Sequence, residues 1–130
     1  MSMICDPVSL FTVERANAAL VYVEKVVRDI VGSYERVLEM RTALEETGSS
    51  DLSGLESRYE SAMDRLSELV DELHQAGVEL RDFERGEVEF PAEVDGREVM
   101  LCWMLGEDTV ETWHAAEHAA TARQPIELLG

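Results

Sequence analysis

Basic residues are scarce in this 130-residue chain, which has 11 Lys and Arg against 28 Asp and Glu and a formal net charge of −17. Binding to nucleic acid or to an anionic membrane depends on Lys and Arg side chains that neutralise phosphate, so this deficit argues against both partners. The sequence also lacks any apolar run of about 18 residues, the length that a membrane-spanning helix requires. Its start lacks the basic and then apolar pattern of a secretory signal. We therefore expect a cytoplasmic protein.

Cysteine is equally scarce, with only Cys5 and Cys102 in the chain. They lie far apart and share no CxxC or zinc-ribbon spacing, which is typical of two free thiols in a reducing compartment rather than of a disulfide framework. The length falls within the usual range of one folded unit. We expect residues 1–130 to form a single domain.

Two apolar seams with alternating steps of three and four residues predict two long helices. The first covers 12–46, begins at a capping Thr12 and ends before the flexible turn at 47–50. The second covers 53–76 and is closed by Gly77. Because each helix carries one apolar stripe, we expect the two to pack as an antiparallel hairpin. The first helix is longer, so its beginning must pack against the rest of the chain.

The pattern changes to a period of two over 77–106, which indicates antiparallel strands. The pair Arg85 and Gly86 marks a first reversal, and Asp95 followed by Gly96 is a strong two-residue hairpin signal. Three antiparallel strands are therefore predicted. Together with the helical hairpin, they place the chain in the α+β class, with the base of the hairpin packed on the small sheet.

A short third helix is predicted over 108–121, because Asp108 and Glu111 have the spacing of a capping box. The apolar positions of both helices and of the last predicted strand indicate the core. Its expected members are Leu20, Val23, Val27, Ile30, Leu66, Leu69, Leu73, Leu101 and Trp103.

Several stretches are similar to one bacterial family. They are FTVERANAAL near the start, GVELRDFERGEVEFPAEVDGREVMLCWMLGED in the middle, and WH and RQP towards the end. In these stretches the chain resembles the uncharacterised family named domain of unknown function 2203. The resemblance spans nearly the whole chain and implies a shared architecture. It implies no catalytic residue.

The sharpest chemical pattern is His114-Ala-Ala-Glu117-His118, which fits the H-x-x-E-H motif of one class of zinc hydrolases. On a helix, residues four apart share a face, so the two imidazoles could hold one metal ion while Glu117 polarises a bound water. The third ligand would have to come from elsewhere in the fold, from Glu107, Asp108 or Asp82, and Glu107 is the one that we name. The alternative is a solvent-exposed helix face without a ligand.

Four further residues are candidates for a ligand pocket, namely Asn17, Asp82, Arg97 and Arg123. An amide in the apolar first turns of a helix should form a hydrogen bond to the sheet or to a ligand. The two arginines could bind an anion near the hairpin turn. Cys102 lies in an apolar run, where its thiolate is disfavoured, so core packing is expected rather than nucleophilic catalysis.

Two functional hypotheses follow. The first is a non-catalytic interaction or oligomerisation module that forms homo-oligomers or binds another protein through the helical hairpin. It is motivated by apolar residues away from the main seam of the first helix, namely Val21, Val26, Val31 and Leu38. The second is a small metal-binding protein or metal-dependent hydrolase that uses a divalent ion such as zinc.

Overall fold

The computed structural model describes residues 10–46, 52–117 and 123–128. It contains two long helices followed by a sheet of five strands and one 3-10 turn. The helices and strands are α1 (Val13–Glu46), α2 (Leu52–Gln75), β1 (Glu79–Asp82), β2 (Glu87–Val94), β3 (Arg97–Met104), β4 (Thr112–Ala115) and β5 (Gln124–Pro125), and the 3-10 turn is Ile126–Leu128.

The predicted helical hairpin is confirmed. Thr12 caps α1, because its hydroxyl oxygen accepts a hydrogen bond of 3.1 Å from the backbone N–H of Arg15. Tyr22 near the start of α1 donates to Glu72 near the end of α2, so the two helices run in opposite directions. Their seams form one apolar cluster, which includes all nine predicted core residues. Within the described residues, neither helix combines the length and the apolar character needed to cross a lipid bilayer.

A glycine ends α2 and turns the chain towards the sheet. Gly77 has a φ of 85°, and the backbone N–H of Val78 donates back to the carbonyl oxygen of Leu73. This left-handed conformation after the last helical turn is the common way to satisfy the free carbonyls at a helix end. The chain therefore leaves α2 directly into β1.

The sheet has the strand order β1-β2-β3-β4-β5, and every neighbouring pair is antiparallel. The turn between β2 and β3 has positive φ at both Asp95 and Gly96, as a type I′ hairpin requires. The three predicted strands are confirmed, and two more strands extend the sheet.

The predicted third helix is wrong where the chain is described. In place of its middle, Thr112–Ala115 form β4 and pair with β3, with Met100 opposite His114. The capping-box pattern is a local signal, whereas β3 would otherwise leave its free edge without hydrogen-bond partners. Pairing with a Thr-Trp segment, which favours strands, satisfies that edge. Residues 118–121 of the predicted helix lie outside the described residues.

The helical hairpin covers one face of the sheet. Alternate residues of β2 and β3 join the apolar cluster of the helices, namely Val88, Phe90, Ala92, Val99, Leu101 and Trp103. At the β1–β2 turn, a Cβ on Gly86 would lie 2.8 Å from a side-chain carbon of Val27, so only glycine allows α1 this close. The intervening residues of the strands point to the opposite face.

Candidate metal centre

Three potential metal ligands converge on the face of the sheet opposite the helices. Glu89 on β2 and Cys102 on β3 are direct partners in the strand register, and His114 on β4 lies diagonally across from Cys102. Each residue offers one ligand atom, and these atoms lie within 4.8 Å of one another. All three residues are buried, with Glu89 only 1% exposed. They form a group that could hold a metal ion.

Glu89 connects this group to the edge of the sheet. One carboxylate oxygen accepts a hydrogen bond of 2.8 Å from Nε of Arg81 on β1, and the other lies 2.8 Å from Nε2 of His114. The hydrogen bond to Glu89 raises the pKa of Arg81 above its usual value. A buried carboxylate is costly unless it is paired, and here both oxygens have a partner.

The ring of His114 is held in one orientation. Its Nδ1 lies 2.8 Å from the carbonyl oxygen of Ala115, and because a carbonyl only accepts, Nδ1 must carry a hydrogen. His114 therefore directs Nε2 towards Glu89 and into the cluster.

The thiol of Cys102 is protonated at neutral pH. Burial, together with the nearby charge of Glu89, raises the pKa of Cys102 to about 12, although a hydrogen bond with the side chain of Thr112 acts in the opposite direction. A thiol in this state is a poor nucleophile, because the thiolate is the reactive form. It becomes a strong ligand only when a cation replaces its proton.

Of the predicted metal ligands that the structure describes, only His114 belongs to this cluster. Glu107 instead closes the turn after β3, where its carboxylate accepts from the backbone N–H of Met104 and its carbonyl oxygen accepts from the indole of Trp103. Burial raises the pKa of Glu107. Glu117 is exposed in the turn after β4, and His118 lies outside the described residues. The helical face that was expected to unite this motif is replaced by a strand and a turn.

The four pocket candidates are each engaged by a different neighbour. The amide oxygen of Asn17 accepts a hydrogen bond of 2.8 Å from the backbone N–H of Val110, which ties α1 to the β3–β4 connection. The carboxylate of Asp82 accepts from the backbone N–H groups of Glu84 and Arg85; the bond from Arg85 is the main cause that lowers the pKa of Asp82.

The two arginines among these candidates contact the sheet at separate points. The guanidinium of Arg97 lies 5.6 Å from the ring centroid of Trp113, within the range of a cation–π contact. Arg123 forms an ion pair with Glu87. These contacts do not bring the four candidates into one pocket.

Glu89 and Cys102 were not predicted as metal ligands beside His114; Cys102 was considered only as a thiol with His114 as its base, and core packing was preferred. The alternation of β2 and β3 does place both of them on the face opposite the apolar residues. What was missing was β4, because His114 was assigned to a helix. Without the register of β4 on β3, nothing in the sequence indicated that His114, Cys102 and Glu89 lie together on one face of the sheet.

Comparison with known proteins supports the family resemblance. The family model described as an uncharacterized conserved protein, DUF2203, matches residues 9–126. No curated protein and no solved structure matches the chain. Since the match covers nearly the whole sequence, the chain belongs to the DUF2203 family.

Proposed function

We propose that this protein binds a divalent transition metal ion, zinc in the first instance, through Glu89, Cys102 and His114. The observation that carries the proposal is the convergence of three buried donors within 4.8 Å. They supply one carboxylate oxygen, one sulfur and one imidazole nitrogen. Zinc accepts all three donor types, whereas magnesium and calcium prefer oxygen alone.

The surroundings of the three donors support this proposal. Metal ligands are usually oriented by hydrogen bonds on the side away from the ion. Glu89 has such a bond from Arg81, and His114 has one to the carbonyl of Ala115. The thiol of Cys102 donates to the carbonyl oxygen of Met100 at 3.8 Å. Two of the three donors therefore have an outer partner of the kind that metal sites use.

Three protein donors leave a fourth position in a tetrahedral zinc site, which a water molecule or another small ligand would fill. Zinc sites that keep such a position are the ones that activate water or polarise a bound group. The predicted metal-dependent hydrolysis would require this open position. The three donors support metal binding directly, and hydrolysis would be a further step.

A measurement of zinc affinity and stoichiometry tests the proposal. Protein purified without a histidine tag and treated with a chelator should bind about one zinc ion, measured by competition with a chromophoric chelator. Changing Cys102→Ser or His114→Gln should lower the affinity by more than about 100-fold, because loss of an outer partner alone costs 10 to 100-fold. Cobalt should give a thiolate charge-transfer band that disappears in Cys102→Ser.

The matched control is His74→Gln, which removes an imidazole at an exposed position of α2. It should bind zinc like the parent. Affinity should also rise with pH, because the cation must replace the thiol proton of Cys102, whose pKa is about 12. Absence of stoichiometric zinc, or equal affinities in parent and Cys102→Ser, would remove this function and leave a buried hydrogen-bond network.

A second candidate function is the interaction or oligomerisation module. Val21 on α1 supports it, because its side chain is 72% exposed and the adjacent Tyr22 is also exposed. The other three residues that motivated the hypothesis support it less. Val26 is buried, and Val31 and Leu38 are half-buried within the chain itself. The contact surface is therefore proposed to centre on Val21.

Sedimentation of the purified protein over a range of micromolar concentrations tests this second function. A homo-oligomer through α1 should dissociate in Val21→Glu, because a charge in an apolar interface is costly to bury. The matched control is Met63→Glu, at an exposed apolar position of α2. If the parent is a monomer and captures no protein partner that Val21→Glu loses, the candidate fails.

A further inference from the structure

Three of the 11 basic residues of this acidic chain line a single groove on the helical hairpin. Arg28 and Arg36 come from α1 and Arg65 comes from α2. The groove has a volume of about 260 Å³, and its other lining residues are Asp29, Gly32 and Ser33. In a chain with 28 acids, the lining of this groove holds three cations and one acid, although Glu24 and Glu68 lie beside two of the arginines.

Gly32 lies between the two arginines of α1 and keeps the groove open. It occupies an interior position of a helix of 34 residues, where glycine disfavours the helix compared with alanine. Packing does not require it, because a Cβ at this position would meet no atom within 4 Å. Residues four apart in a helix share a face, so any larger side chain here would project between Arg28 and Arg36.

The three guanidinium groups are available to a ligand. Arg28 pairs with Glu24 at 2.7 Å and Arg65 with Glu68 at 3.8 Å, and both pairs are largely exposed to solvent. Exposed ion pairs of this kind contribute little stability, so an anion can replace their carboxylates. Arg36 forms no ion pair with any residue that the structure describes.

We propose that this groove binds a small anion that carries a phosphate group. The planar donors of guanidinium groups match the oxygens of phosphate, and several arginines around one anion are typical of phosphate recognition. The groove is smaller than the roughly 300 to 1,000 Å³ of pockets for larger organic ligands. Free inorganic phosphate and the terminal phosphate of a small metabolite share this chemistry. The site is independent of the metal centre.

Calorimetric titration of the full chain with inorganic phosphate and pyrophosphate at low ionic strength tests the proposal. Arg36→Gln should weaken pyrophosphate binding by at least about tenfold, the effect of losing one charge-assisted hydrogen bond. Arg58→Gln is the matched control, because Arg58 is an exposed arginine of α2 outside the groove. Its affinity should equal that of the parent.

A second variant fills the groove but leaves its three arginines in place. Gly32→Leu should raise the melting temperature, since leucine favours a helix more than glycine does, and should abolish binding by filling the groove. The proposal is overturned if the parent does not bind pyrophosphate at millimolar concentration. It is also overturned if chloride competes as well as phosphate, or if Arg36→Gln or Gly32→Leu binds like the parent.

Discussion

Replacing Glu89 with alanine is expected to lower the free energy of unfolding by about 3 kcal/mol or more in the absence of metal. Its carboxylate is the shared partner of Arg81 and His114, at 2.8 Å from each. Without the Glu89 carboxylate, the buried Nε2 of His114 loses its hydrogen-bond partner. Arg81 loses its only buried acidic partner among the pairs described above. Removing one member of a buried pair costs more than the pair itself contributes, because the remaining polar group stays desolvated. Urea denaturation in the presence of a chelator measures the difference.

The matched control for this prediction is Glu79→Ala. Glu79 lies directly opposite Glu89 in the strand register and also pairs with Arg81, but that pair is exposed. Its removal should cost no more than about 1 kcal/mol. The double variant Glu89→Met with His114→Leu should recover much of the loss, because no buried polar group is then left unpaired. Equal effects of Glu89→Ala and Glu79→Ala would contradict the buried network.

Truncation of Leu69 to alanine is expected to cost about 2 to 5 kcal/mol. Leu69 lies on α2, is 2% exposed and belongs to the apolar cluster that joins the hairpin to the sheet. The lost free energy has two parts. One is the transfer free energy of the removed methyl groups, and the other is the cost of the cavity left between rigid neighbours. Chemical denaturation monitored by the helical circular dichroism signal measures this change.

Met63→Ala provides the comparison, since Met63 lies on the same helix but is 41% exposed. It should change the free energy of unfolding by less than about 0.5 kcal/mol, as surface substitutions usually do. A loss below that value for Leu69→Ala would contradict its burial in the apolar cluster.

The helical hairpin could be predicted because its signals are local and repeated. Each seam has several apolar residues at helical spacing, and Thr12 and Gly77 mark the boundaries that the structure shows at the start of α1 and after α2. The β2–β3 hairpin was predictable for a similar reason. Asp95 and Gly96 supply the two positive φ angles that this turn requires.

The sequence alone thus determined the family, the hairpin, the first three strands and the apolar core, because these depend on periodicity and turn chemistry within short segments. Only the tertiary structure decided that Thr112–Ala115 pairs as a strand with β3 rather than continuing as a helix. That choice depends on hydrogen bonds to a strand edge elsewhere in the chain. A local capping pattern contains no information about that edge. The same pairing brings His114 to Glu89 and Cys102. The candidate metal centre therefore arises from strand register, which no single stretch of the sequence encodes.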